Sequence, residues 1–149
     1  MSKEIRILTS NHLKTKRNYL KRMMNSKVKC MNEAKKYEYN YWDGSRKFGY
    51  GGYKYIEGRW TNVAKKLIKI FKLKNSSKIL DIGCGKAFLL FEIKKILPRI
   101  EISGFDISKH AIKNTPKSIR KYIFNHKAQK KYPFKACLLY TSPSPRDLA

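Results

Sequence analysis

Residues 78–108, KILDIGCGKAFLLFEIKKILPRIEISGFDIS, constrain the fold more than any other part of the chain. KILDIG has the apolar texture and length of a short strand, FLLFEIKKIL that of a helix closed by Pro98, and EISGFDI that of a second strand. Strand, helix and strand within about thirty residues make a βαβ unit. Its right-handed crossover sets the two strands parallel, and a parallel sheet must be covered by helices, so an α/β architecture is expected.

The flanking segments extend this pattern. Residues 61–73, TNVAKKLIKIFKL, place Val63, Ala64, Leu67, Ile68 and Phe71 on one stripe, with Lys65, Lys66, Lys69 and Lys72 largely opposite. That is an amphipathic helix, with Thr61 expected as its N-cap. After the βαβ unit, SKHAIKN predicts a short helix stopped before Pro116, and RKYIFNH predicts a third strand. The order then breaks down. Residues 136–149, ACLLYTSPSPRDLA, have no Lys and two Ser-Pro steps. They resemble translated cloning or adaptor sequence joined to a shortened reading frame, and are expected to be a non-native or disordered tail.

Upstream, residues 1 to about 36 are basic, with Leu13, Tyr19, Leu20, Met23 and Met24 loosely at helical spacing, so they read as a helical arm rather than a core. Residues 37–60, YEYNYWDGSRKFGYGGYKYIEGRW, alternate aromatics with Gly and charge at no steady period and read as an ordered, glycine-hinged loop. The expected organisation is therefore arm and loop over 1–60, an α/β domain over 61–135, and the tail. At 149 residues the chain falls short of the roughly 200 that a complete α/β enzyme usually has, so the domain is expected to be incomplete.

Hydrophobic content of 42% is too high for a disordered chain despite a net charge of +25. A field of that size attracts phosphates, nucleic acid or anionic lipid. However, the lysines are spread along the chain and accompany many Ile and Asn, a composition that AT-rich coding produces without a polyanionic partner. Cys30, Cys84 and Cys137 stand far apart without a CxxC pair, which argues against a disulfide framework or a zinc site. The opening MSKEIRILTSNHLKTK lacks the apolar core of a signal peptide, and no apolar run of 18 residues occurs, so the cytoplasm is the expected compartment, with no membrane contact.

The chemistry is concentrated in ILDIGCGKA, which joins the first strand to the helix where doubly wound folds hold nucleotide-like ligands. Gly83 and Gly85 let the backbone turn sharply and approach a ligand, and the helix starting near Phe88 aims its first N–H groups at the same place. A dinucleotide fingerprint would need glycine at position 88, where Phe88 stands. The segment instead resembles motif I of class I, Rossmann-like methyltransferases, loosely DxGxGxG, with Ala87 in place of the last glycine.

The resemblance covers roughly residues 61–134 and implies S-adenosylmethionine as cofactor. Its glycine loop, Gly83, Cys84 and Gly85, would wrap the amino-acid part of the cofactor, and Asp81 would fix the loop and orient the ligand. Asp106, 25 positions beyond Asp81, would accept hydrogen bonds from the ribose hydroxyls, and Ile107 would pack on the adenine. A weaker match sets FNHKAQKKYPF beside a strand and loop reading GDAxxLPF; Lys127 takes the acidic position, leaving Ala128 and Gln129 as backbone contacts and His126 as a strand-end residue. The loop over 41–60 falls where the family puts a lid, with glycines 49, 51 and 52 as hinges and Tyr50, Tyr53, Arg46 or Arg59 facing cofactor or substrate. The other reading is that its aromatics close the edge of the core.

The implied fold is a Rossmann-like parallel sheet with helices on both faces, seven-stranded when complete, of which about three strands are countable here. The implied activity is methyl transfer to an unidentified acceptor, with a small molecule preferred. No catalytic residue is assigned, because the family takes its acceptor and base groups from the strand-four loop and beyond, and the chain as it stands is expected to be inactive. Two other readings stay open: an RNA-binding protein or RNA methyltransferase that uses the positive charge and tyrosines for stacking, and a nicotinamide-dependent oxidoreductase. No RNA-binding module is recognisable in the aromatics, and Phe88 weighs against the oxidoreductase.

Overall fold

The computed structural model describes residues 27–131 and the strand Leu139–Thr141. The helical pattern around Leu13 to Met24, Cys137 and the tail apart from residues 139–141 lie outside the described residues. In chain order the elements are α1 (Lys27–Ala34), α2 (Tyr39–Trp42), α3 (Thr61–Ile70), β1 (Lys78–Ile82), α4 (Phe88–Ile96), β2 (Glu101–Asp106), α5 (Lys109–Lys113), a 3-10 turn (Arg120–Tyr122), β3 (Ile123–Asn125) and β4 (Leu139–Thr141).

The strands form one parallel sheet in the order β3-β2-β1-β4. β1 pairs with β2 from Lys78↔Glu101 to Ile82↔Phe105, β2 with β3 from Gly104↔Ile123, and β1 with β4 from Ile79↔Leu139. This is the partial Rossmann-like architecture the βαβ unit predicts. β1 is central, so consecutive residues Ile79 and Leu80 are both buried. Ala64 and Leu67 of α3 and Leu90 and Ile93 of α4 join Ile79, Ile100, Ile102 and Ile123 in the main core. Each Leu or Ile among them removed from water contributes about 1.5–3 kcal/mol.

Four details differ from the pattern-based expectation. Thr61 is the first residue of α3 and Trp60 its N-cap. The Thr61 hydroxyl instead donates to Glu92 Oε2 at 2.8 Å, a carboxylate only 1% exposed that needs donors. Phe71 lies past the end of α3 and is exposed, because the helix stops at Ile70. The third strand is confined to Ile123–Asn125, since residues 120–122 coil into a 3-10 turn. A fourth strand, β4, fills the outer edge of β1. It was not foreseen because strand pairing uses backbone groups common to all residues, and composition alone set that segment apart.

Candidate active site

From β1 to β2 to β3 the sheet grows in one direction, and β4 lies on the opposite side of β1. The order therefore reverses at β1, and the crevice outside the carboxyl ends of strands at such a point is where α/β folds bind ligands. Residues 83–87 leave β1 into that crevice.

This loop is fixed to the end of β2. Gly83 and Cys84 N–H both donate to the Phe105 carbonyl, at 2.9 and 3.1 Å, and Gly85 N–H donates to Asp106 Oδ2 at 2.8 Å. Gly83 and Gly85 both have positive φ, +73° and +56°, yet their surroundings differ. A Cβ on Gly83 would meet nothing within 4 Å, so the backbone there borders open space, whereas one on Gly85 would lie 2.5 Å from the Trp42 ring. Ala87, in the place of the family's last glycine, also has positive φ, +57°, and is 1% exposed. Its methyl group packs into the main core, which offsets a backbone strain of about 1–3 kcal/mol.

The two expected acids are both buried, Asp81 within β1 and Asp106 at the end of β2, each 8% exposed. Asp106 Oδ2 takes the Gly85 N–H and Oδ1 the Ser108 N–H, the latter at 2.8 Å. Burial raises the Asp106 pKa above its ordinary value, and the N–H groups of Ser108, Gly85 and Ile107 offset part of that rise. With three N–H donors against about four acceptor sites, the carboxylate keeps room for a ligand hydroxyl. Ile107 beside it is 44% exposed and offers an apolar surface. Burial, followed by the charges of Asp81 and Asp106, pushes the Cys84 thiol well above its usual range and keeps it protonated. Asn125 Nδ2 donates to the carbonyls of Asp106 and Ile107, at 3.1 and 2.9 Å, and so holds the turn that presents both residues. His126 N–H donates to the Asp106 carbonyl at 3.1 Å, and its ring meets Phe105 edge-on.

Over this frame lies the segment from Tyr37 to Tyr55. Trp42 Nε1 donates to Ser108 Oγ and to the Tyr37 carbonyl, both at 3.0 Å, while Tyr50 stacks on Trp42 and Tyr53 on Phe88. Lys86 Nζ donates to Asp43 Oδ1 and Oδ2, at 2.8 and 2.7 Å, and to the Tyr53 carbonyl at 2.7 Å. His110 Nε2 lies 2.6 Å from Asp43 Oδ2, and Glu38 accepts the N–H groups of Lys109 and His110 at 3.0 and 2.8 Å. Burial pushes the Asp43 pKa up, but hydrogen bonds from His110, Lys86 and the Tyr53 N–H outweigh it and hold the carboxyl at about 2. Further along, Tyr55 and Thr61 donate to the buried Glu92 carboxylate.

Of the lid residues the sequence singled out, Arg46 donates to the Tyr50 carbonyl of its own segment at 2.7 Å, and Arg59 is exposed. Tyr50 and Tyr53 pack into an aromatic cluster with Tyr41 and Trp42. Beside this cover an open cleft of about 400 Å³ is lined by Tyr53, Tyr55, Lys86, Phe88, Phe91 and Asn114, among others. Sequence reasoning missed Trp42, Asp43, Lys86, His110 and Asn125. Only Asn125 carried a signal, its place at the end of the third strand.

The chain is similar to known proteins over part of its length. Residues 73–137 match the family described as a methyltransferase domain. That stretch is thus similar to a methyltransferase domain. The match runs from just before β1 to just before β4 and contains the glycine loop, Asp106 and Asn125. Among solved structures, the crystal structure of coclaurine N-methyltransferase bound to N-methylheliamine and SAH is similar, with a TM-score of 0.45 at 12% identity, covering 87% of this chain and 44% of that one. The present chain therefore spans less than half the length of that protein. No curated protein matches the sequence.

Proposed function

We propose that the methyltransferase domain binds S-adenosylmethionine through Asp81, Gly83, Cys84, Gly85, Asp106 and Ile107, and that the intact protein transfers its methyl group to a small-molecule acceptor. The observation that carries the reading is Asp106, a buried acid tied to the glycine loop at the switch point of the sheet, beside a Gly83 that borders open space. The residues suit the cofactor. Asp106 has acceptor capacity left for a ribose hydroxyl, Gly83 leaves room for close approach, and Ile107 presents apolar surface to an adenine. When bound, the cofactor supplies an electrophilic sulfonium methyl group, and the protein supplies alignment and a site shielded from water. No catalytic base is assigned; the Cys84 thiol is held protonated.

The alternative of RNA stacked on the tyrosines is disfavoured because Tyr41, Trp42, Tyr50 and Tyr53 pack on one another. The oxidoreductase reading gives way to the family match. No helix among the described residues is long and apolar enough to cross a membrane, and we place the protein in the cytoplasm.

The test is calorimetric titration of the full chain with S-adenosylhomocysteine, alongside Asp106→Ala. Saturable binding that weakens roughly 10–100-fold in the variant is expected, the scale of one or two hydrogen bonds to a charged group. Folded wild-type protein that binds nothing would overturn the reading.

A further inference from the structure

Lys86 sits between Gly85 and Ala87 in the glycine loop, yet its side chain is 5% exposed and its ammonium is bonded, among the described residues, by the cover alone, through both Asp43 oxygens and the Tyr53 carbonyl. A buried ammonium is tolerated only with partners of this kind. The same Asp43 carboxylate accepts the Tyr53 N–H at 3.0 Å and meets His110 Nε2 at 2.6 Å. One acid on the cover is thereby joined both to the loop after β1 and to the helix after β2, the two segments that flank the crevice. Trp42, the neighbour of Asp43, repeats the arrangement by resting on Gly85 and donating to Ser108.

From this geometry we propose that Lys86 is a positioning residue for the cofactor site: its ion pair with Asp43 clamps the segment 39–53 onto the glycine loop, so that ordering of the cover and binding of the ligand are one coupled event. The proposal rests on the cofactor reading above. A ligand that settles against Gly83 and Asp106 fixes the loop, the loop fixes Lys86, and Lys86 fixes the cover. By reciprocity, loosening the cover must weaken the ligand to the same degree.

Amide exchange and S-adenosylhomocysteine titration of the full chain test this. In ligand-free Lys86→Met, residues 39–53 are expected to exchange at least about tenfold faster while β1 and β2 keep their protection, and the dissociation constant for S-adenosylhomocysteine is expected to rise by about tenfold, a usual scale for coupling between sites. Lys86→Arg restores part of both effects, and Lys86→Met combined with Asp43→Asn costs less than the sum of the two single changes, because both remove the same ion pair. In the wild type the ligand slows exchange over 39–53 as well as over 83–87. Should Lys86→Met fail to fold, Asp43→Asn asks the same question from the cover side. Unchanged exchange over 39–53, or equal affinity of Lys86→Met and the wild type, overturns the positioning role alone. A folded wild type that binds no S-adenosylhomocysteine overturns the cofactor reading, and the coupling with it.

Discussion

The β1–α4–β2 frame and the cover over 37–55 touch the same glycine loop but are held by different physics. The frame is apolar: Ile79, Leu80, Leu90, Ile93 and Ile100 are all at most 1% exposed, and each contributes by leaving water. The cover buries Tyr41 and Trp42, but its attachment depends on an ion pair, a histidine and a carboxylate that accepts the first N–H groups of α5. Apolar burial is additive and tolerant of detail, whereas a buried ion pair is worth little until one partner is removed. The frame should therefore fail gradually and globally, and the cover abruptly and locally.

The sharpest test of that contrast is Asp43→Ala beside Leu90→Ala. The first leaves the Lys86 ammonium buried without its carboxylate and should cost about 3–5 kcal/mol, expressed as local opening of 39–53 in amide exchange while the frame stays protected. The second leaves a cavity under α4 and should cost about 2–5 kcal/mol, expressed as a lower denaturant midpoint for the whole domain. If both variants lower the global midpoint alike, the two regions are one cooperative unit and the comparison fails.

A smaller effect is expected at the joint between them. Gly85→Ala introduces a methyl group 2.5 Å from the Trp42 ring at a positive φ, so it should destabilise by about 1–3 kcal/mol, with the loss concentrated in the cover. Gly83→Ala shares the strain but meets no neighbour within 4 Å, and it provides the control.

The smallest effect is set by acid. Asp43 titrates at about 2 in the folded protein, below its ordinary 3.8, so its stabilising contribution is complete above about pH 4 and is lost as the pH falls toward 2. Trp42 fluorescence, read in a Trp60→Phe background, should report release of the cover across that window. A transition confined to higher pH would show that a group other than Asp43 holds it.

The same contrast explains what the sequence made visible. The βαβ unit was legible because its information is local: Ile79 and Leu80, the stripe of α4 and the stop at Pro98 lie within about twenty residues, and period and punctuation report them. Gly83, Gly85 and Asp106 were legible through the spacing of a loop and a strand end. The ties of the cover were not, since Asp43 and Lys86 stand 43 positions apart and Asp43 and His110 stand 67 apart, with no periodicity linking them. The single turn of α2 is too short to show a helical stripe, and Thr61 was read as a cap because sequence shows the hydroxyl but not the buried Glu92 that claims it.

The meeting of Gly85 with the Trp42 ring also restricts how sequences of this design can drift. Gly85 is held by two requirements at once, a left-handed backbone and an aromatic ring where its side chain would go. Relief of either alone leaves glycine the best choice. A side chain gained at position 85 becomes tolerable only once position 42 has shrunk, and the smaller residue there gives up the bond to Ser108. In related sequences a side chain at position 85 should therefore occur only where position 42 is small, and a tryptophan at 42 should always face a glycine at 85.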